Sequence, residues 1–370
     1  MTANLLIVGT GLIGTSIGLA LRGQADVVLA DSDDAAVSAA VARGAGRLWN
    51  GNEPVAHALL AVPPREVARE FSRLHPLGRA RTYSHVASTQ AAVQHEVETS
   101  VGDLRQFCGS HPMAGRESAG PQAAAADLFE GRPWALCPSP QTLPQTVAAT
   151  RLIAKLCGAE PLVLTPDEHD EAVALVSHLP QVTASALAAT LLGRAQQDAA
   201  PVRLAGPGLQ DTTRIAASDP DLWVDVLSSN AAAVAPLVRA LAQELAAAAD
   251  RLDELAAGPA NSSPARSAQA LSAMALSDLL RRGNEGRRLV PVKAGKHDRD
   301  FVVVQVGVPD RPGQLAGVLV SAADAGVNVE DVRVEHLVGR PRGVIELLVH
   351  ATALARARAA LSAAGWDVLG

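Results

Sequence analysis

Apolar residues come in short runs along the first part of the chain and in long helical stripes further on, and the change falls near residue 165. The segment NLLIVG at 4–9 reads as a buried strand, and the apolar segment opening at Leu12 reads as a helix. Four more short apolar runs follow VVLA at 27–30: HALLAVPP at 57–64, TYSHVAS at 82–88, RQFCGSHP at 105–112 and WALCP at 134–138. With helical segments between them, they predict an α/β domain over residues 1–165, built on an open Rossmann-like parallel sheet. Past LVLTPDEHD at 162–170, runs rich in Ala and Leu predict an all-helical domain over 166–285, of a kind that often pairs. GPANSSPARS, a short helix and the basic stretch RRGNEGRRLVPVKAGKH read as an exposed connection, with 286–299 as a linker. Residues 300–370 then run strand, helix, strand, strand, helix, strand, the ferredoxin-like order.

Composition narrows the class. A chain of 370 residues implies two or three domains, and 48% hydrophobic with 19% charged residues implies a globular one. A net charge of −6 with no basic stripe argues against nucleic acid as a partner. Cys108, Cys137 and Cys157 have no metal-ligand spacing and read as reduced thiols of a cytoplasmic protein without a metal. The first apolar segment is already used as a strand and helix rather than a signal sequence. The alanine-rich run 231–257 is interrupted by Arg239, Glu244, Asp250 and Arg251, which argues against a membrane span.

Gly9, Gly11 and Gly14 stand in G-x-G-x-x-G spacing between the first strand and the first helix, with Leu12 and Ile13 opening that helix. The first glycine makes the tight turn, the second admits a pyrophosphate, and the third lets helix pack on strand. The phosphates would sit on the helix N-terminus, where free N–H groups and the dipole favour anions. Asp31 ends the second strand about 20 residues on, where a carboxylate accepts both ribose hydroxyls. No arginine follows it to hold a 2′-phosphate, so the cofactor predicted is NAD rather than NADP.

In open parallel sheets ligands lie beyond the carboxyl ends of the strands, where Ser88 and His111 fall. A histidine there can take a hydroxyl proton while hydride leaves the same carbon, or can serve only as a packed or capping residue. SHLPQ at 177–181 sets His178 before a proline-broken helical boundary. Asp211 and Arg214, ahead of Trp223, read either as an anchor for an anionic substrate or as a helix-surface pair. Ser218, Asp219 and Pro220 read as a helix cap.

GTGLIGTSIG at 9–18, AVPP at 61–64, HPMAGRES at 111–118, LFEGRPWALCP at 128–138, EHDEAVALVSHLP at 168–180 and DTTRIAASDPDLW at 211–223 together resemble the prephenate dehydrogenase (TyrA) family over the first 260 residues or so. The tail, with PDRPG at 309–313 and the turn Gly326 to Asn328, resembles an ACT domain, found in a longer form of that family. The resemblance implies NAD-dependent oxidative decarboxylation of prephenate to 4-hydroxyphenylpyruvate in tyrosine biosynthesis. It implies His111 as proton acceptor, Ser88 orienting hydroxyl and nicotinamide, and Val62 and Pro63 of AVPP beside the cofactor. Arg214 and His178 would contact substrate, Glu117 and Asp211 position the arginine, and Trp223 line the wall. A homodimer is implied, as is a tyrosine effector near Asp310 and Asn328. The family pattern D-V-G-S-x-K reads His85, Val86, Ala87, Ser88, Thr89, Gln90 here. SHLPH has become SHLPQ with Gln181, and Leu209 and Gln210 replace an aromatic-basic pair. Those changes leave arogenate dehydrogenase, or a non-catalytic NAD- and amino-acid-sensing regulator, as alternatives. An unperturbed His111 would set an acid limb near pH 6.5.

Overall fold

The computed structural model describes residues 4–115, 118–195, 200–257, 263–290, 300–336 and 341–369. Two compact units divide the chain, residues 1–247 and 248–370.

In the first unit β1 (Asn4–Val8), β2 (Asp26–Ala30), β3 (Arg47–Leu48), β4 (Val55–Leu60), β5 (Ala80–His85), β6 (Phe107–Pro112), β7 (Pro133–Cys137) and β8 (Glu160–Val163) form one sheet. Its order is β3-β2-β1-β4-β5-β6-β7-β8. The strands from β1 to β6 are nearly continuous apolar runs because both faces are covered. Leu5, Ile7, Leu29 and Leu59 bury on one side, and Leu6, Val28, Leu60 and Tyr83 on the other. β1 pairs in parallel with both β2 and β4, so the chain reverses its direction of growth at β1, and the crevice beyond this switch point is where ligands bind in such sheets.

The alternation of strand and helix predicts a parallel sheet, but the sheet is not wholly parallel. β6 and β7 are antiparallel, and β7 and β8 are parallel to each other. A parallel return needs a helical crossover. Among the described residues between Pro112 and Pro133 there is only a 3-10 turn, Pro121–Ala123. β1, β2, β4, β5 and β6 still share one direction, so Gly9, Asp31, Ala61, Ser88 and His111 all fall at one edge.

Helices Pro166–Val173, Leu179–Ala195, Pro207–Thr213 and Pro220–Ser229 and the first part of Ala231–Ala256 complete this unit. Thr165 and Glu168 close a reciprocal capping box with Pro166 in the first turn, which fixes where the first of these helices starts. Asp219 caps Pro220–Ser229 by accepting from the Asp221 amide, as the sequence predicts. Pro180 does not break the chain's helical path. It removes one helical N–H, and the backbone widens into a π turn over Ala174–His178 just before it. His178, the last residue of that turn, is thereby buried.

In the second unit a helix of 25 residues, Ser263–Arg287, stands where the sequence suggests a short one. Beyond it β9 (Phe301–Pro309), β10 (Val329–His336), β11 (Arg342–His350) and β12 (Asp367–Leu369) form an antiparallel sheet of order β10-β11-β9-β12. Helices Gln314–Asp324 and Leu354–Ala363 bury Val318, Ala322, Ala357 and Leu361 against Val304, Val306, Ile345 and Leu347. This connectivity is the strand-helix-strand-strand-helix-strand order expected. The register separates the two residues assigned to an effector. Asn328 precedes Val329, which pairs through Val349 with Val302, whereas Asp310 follows Pro309, which pairs with Arg342. They sit at opposite ends of the sheet, about 23 Å apart at a strand rise of roughly 3.3 Å per residue, and so share no pocket within one chain.

Candidate active site

Gly9 turns the chain with φ +99, and its amide donates to the Ala30 carbonyl at 2.8 Å. A Cβ there would stand 2.2 Å from the Ala61 carbonyl oxygen, and one on Gly14 would stand 2.0 Å from the Gly9 carbonyl oxygen. A Cβ on Gly11 would meet no atom within 4 Å. Two glycines are thus required by packing. The third borders open space at the start of the helix, where Leu12 and Ile13 are half-buried, and this is the cradle a pyrophosphate fits. Val62 and Pro63 line the next loop, with Val62 against Gly9.

Asp31 faces the same loop. Its Oδ2 accepts from the Thr10 amide at 2.5 Å and the Thr10 hydroxyl at 2.7 Å, and its Oδ1 accepts from the Asp33 amide at 3.0 Å. Partial burial raises its pKa, but these donors outweigh burial and keep the carboxyl below its usual range. An ionised, pre-oriented carboxylate at this place suits the two hydroxyls of an adenosine ribose, so the residues present fit NAD.

His111 projects at the same sheet edge. Its Nδ1 lies 3.0 Å from Nε2 of His169, and the rings meet edge to face with centroids 5.2 Å apart. His169 Nδ1 in turn lies 2.8 Å from Oδ1 of Asp170. The Asp170 carboxylate also accepts from the amides of Gln90 and Ala91, both at 2.9 Å, at the start of helix Ala91–Val101. Asn230 donates to the Asp170 carbonyl at 2.8 Å and stands 3.2 Å from Nδ1 of His178. Trp223 meets the His178 ring edge-on at 6.0 Å. Burial, then the nearby rings of His169, His178 and His85, push the pKa of His111 well below the ordinary histidine range. An acid limb near 6.5 therefore does not apply to this ring, which stays neutral in mildly acidic solution.

Of the residues singled out in the sequence, His111, His178 and Trp223 thus join one network. Ser88 is half-buried three residues past the end of β5. Asp211 and Arg214 are exposed, on Pro207–Thr213 and the 3-10 turn Arg214–Ala217, which packs on helix Leu179–Ala195. Glu117 lies outside the described residues. His169, Asp170 and Asn230, which also belong to this network, carry no catalytic motif of their own in the sequence. The signal for the first two was the T-P-D-E start, a capping box that fixes the depth of the H-D pair following it.

A sheet with a dinucleotide cradle and a neutral histidine at one edge defines an NAD-dependent oxidoreductase. Two family models match: "Prephenate dehydrogenase, nucleotide-binding domain" over residues 17–163 and "Prephenate dehydrogenase, dimerization domain" over 165–257. The probable prephenate dehydrogenase NovF of Streptomyces niveus is 34% identical over 347 residues, 93% of each chain. The chain belongs to the prephenate dehydrogenase family. The prephenate dehydrogenase of Bacillus subtilis is 30% identical over 62% of this chain and 65% of its own. In fold, the structure resembles prephenate dehydrogenase from Aquifex aeolicus in complex with hydroxyphenyl propionate and NAD+, with a TM-score of 0.65 at 24% identity. That likeness covers 77% of this chain and 98% of the other.

Proposed function

We propose that the chain oxidises prephenate with NAD to 4-hydroxyphenylpyruvate and carbon dioxide, with His111 as the proton acceptor. NAD supplies the hydride acceptor; Gly9, Gly11, Gly14 and Asp31 hold it, flanked by Leu12, Ile13, Val62 and Pro63. The chain's own residues orient the substrate and manage its proton. Nε2 of His111 takes the proton of the ring hydroxyl as hydride leaves the carbon bearing that hydroxyl. The resulting dienone is a vinylogous β-keto acid, which loses carbon dioxide as the ring aromatises. Ser88 orients the hydroxyl, Arg214 grips a carboxylate, His178 and Trp223 border the substrate, and Asp211 and Glu117 position the arginine.

One observation carries this reading: a neutral histidine, held through its Nδ1, stands at the sheet edge that also bears the glycine cradle and Asp31. The test is NADH formation by purified protein offered prephenate and arogenate side by side, with NAD and NADP. Turnover of prephenate with NAD is expected, and its loss in His111→Ala with NAD affinity intact. Preference for arogenate would transfer the same chemistry to the amine-bearing substrate. Binding of NAD with no turnover of either would sink the catalytic reading in favour of a sensing protein.

We also propose a cytoplasmic homodimer. Helices Pro166–Gly193 and Ala231–Ala256 are long and apolar enough by composition to cross a membrane. Leu175, Val176, Leu192, Leu245 and Leu252 are more than half exposed in the single chain. A second copy covering these faces accounts for them, and the dimerization-domain match over the same residues supports it. The ferredoxin-like unit fits an ACT domain. A tyrosine site using both Asp310 and Asn328 would have to draw them from different chains, which ties feedback inhibition to dimerisation.

A further inference from the structure

We infer that His169 and Asp170 are positioning residues that hold His111 in the one tautomer whose Nε2 is free to accept the substrate's proton. The inference rests on reading His111 as the proton acceptor.

Hydrogen-bond bookkeeping gives the tautomer. The Asp170 carboxylate takes two backbone amides and His169 Nδ1, so it can only accept, and His169 must donate from Nδ1. Nε2 of His169 is then a lone pair, and His111 Nδ1, 3.0 Å away, must donate to it. That leaves Nε2 of His111 without a hydrogen. With both rings neutral and Asp170 ionised, any other proton placement sets two donors or two acceptors face to face. Both positioning residues are buried, at 1% and 5% exposure, so water cannot substitute for either link. The capping box fixes them from one side and Asn230, bound to the Asp170 carbonyl, from the other.

The same chain answers the charge that forms. As the substrate O–H breaks and an N–H forms on Nε2 of His111, the ring becomes a cation donating through Nδ1 to His169. The proton stays on His111, and the Asp170 carboxylate balances it through His169. Among the described residues, the titratable groups facing His111 are His85 from β5, His169 from helix Pro166–Val173 and His178 from the π turn, with Asp170 one link further on behind His169. Among these groups Asp170 is the carboxylate, and it acts on the cation through His169.

Asp170→Asn is the informative variant. Its oxygen can keep the Ala91 amide, but its NH2 faces His169 and reverses every hydrogen bond to His111, placing a hydrogen on Nε2. Expected is a loss in kcat of roughly 10⁴-fold, the scale of a wrong-tautomer histidine, with KM for prephenate and the Kd for NAD changed less than about threefold. His169→Leu should match it. His169→Gln, whose amide oxygen still accepts from Nδ1, should recover at least about tenfold over His169→Leu. The acid limb of kcat/KM should move in Asp170→Asn, since the carboxylate behind His169 is gone. Wild-type kcat in Asp170→Asn and His169→Leu alongside an inactive His111→Ala would overturn the relay and leave the proton-acceptor reading standing. Wild-type turnover by His111→Ala would remove that reading, and the relay with it. Losses in kcat that track losses in NAD affinity and melting temperature would assign the pair a purely structural role.

Discussion

Gln90 and His85 meet over Gly109, each with one buried polar atom unpaired. His85 Nδ1 accepts from the Ala87 amide at 3.1 Å, so its hydrogen sits on Nε2, which has no partner, and Gln90 Oε1 has none either. A Cβ on Gly109 would stand 2.4 Å from that oxygen and 3.1 Å from that nitrogen, so both atoms border one space. A neutral donor and a neutral acceptor thus stand on one small buried space. His85→Asp alone buries an unpaired carboxylate and should cost about 3–5 kcal/mol, as should the ammonium of Gln90→Lys alone. The double variant should recover most of the sum. Chemical denaturation of all four proteins measures the coupling, and additive losses would show that the two side chains do not interact.

The three glycines of the turn should separate by what each one serves. A Cβ on Gly14 would strike the Gly9 carbonyl at 2.0 Å, and both atoms belong to backbone that cannot swing aside. Gly14→Ala should lower stability by about 1–3 kcal/mol, the usual cost of overpacking. Gly11→Ala meets nothing within 4 Å and has no positive φ, so it should melt like the parent. Its methyl would enter the cradle instead, and NAD affinity should fall by an order of magnitude or more. Equal NAD binding by Gly11→Ala, measured calorimetrically, would place the pyrophosphate elsewhere.

What the sequence revealed and what it hid follow from the range of the interactions. The Gly9, Gly11, Gly14 and Asp31 set is local to one strand-turn-helix unit, and each residue performs a task that spacing alone expresses. The Asp219 cap and the six elements of the tail were legible for the same reason. The antiparallel β7 was not, because its direction depends on a missing crossover helix rather than on the strand's own residues. Nor was the link from His111 to His169, which spans 58 positions and exists only once β6 and helix Pro166–Val173 are packed. Asp310 and Asn328 both looked like loop residues of one site. Only the register put them at opposite ends.

Asp31 should decide between the two nicotinamide cofactors. Its carboxylate is fixed by Thr10 and by the Asp33 amide, and Asp33 and Asp34 follow it, so a 2′-phosphate would meet negative charge without a cationic partner. The parent should use NAD far better than NADP. Asp31→Ser should weaken NAD and narrow the ratio of kcat/KM between the cofactors by at least about tenfold, since part of the discrimination is repulsion. A parent that uses NADP equally well would contradict this assignment.

His57 and His85 should make the fold sensitive to mild acid. His57 is buried between β4 and β5, with Thr82 and Ser84 hydroxyls each 2.8 Å from a ring nitrogen, and burial pushes its pKa down to about 3. Burial does the same to His85, also to about 3. Both rings are neutral when folded, whereas in the unfolded chain each titrates near 6.5. Above that value neither state takes up a proton and stability is unaffected. As pH falls below it, the unfolded chain binds protons the folded chain refuses, and stability drops by about 1.4 kcal/mol per unit for each such histidine until the folded pKa is reached. Denaturation midpoints between pH 7.5 and 4.5 should therefore fall steadily from near pH 6.5. His57→Gln, whose amide is uncharged throughout, should remove roughly one histidine's share of that slope even if it is less stable at pH 7. An unchanged slope in that variant would mean that His57 accepts a proton without unfolding.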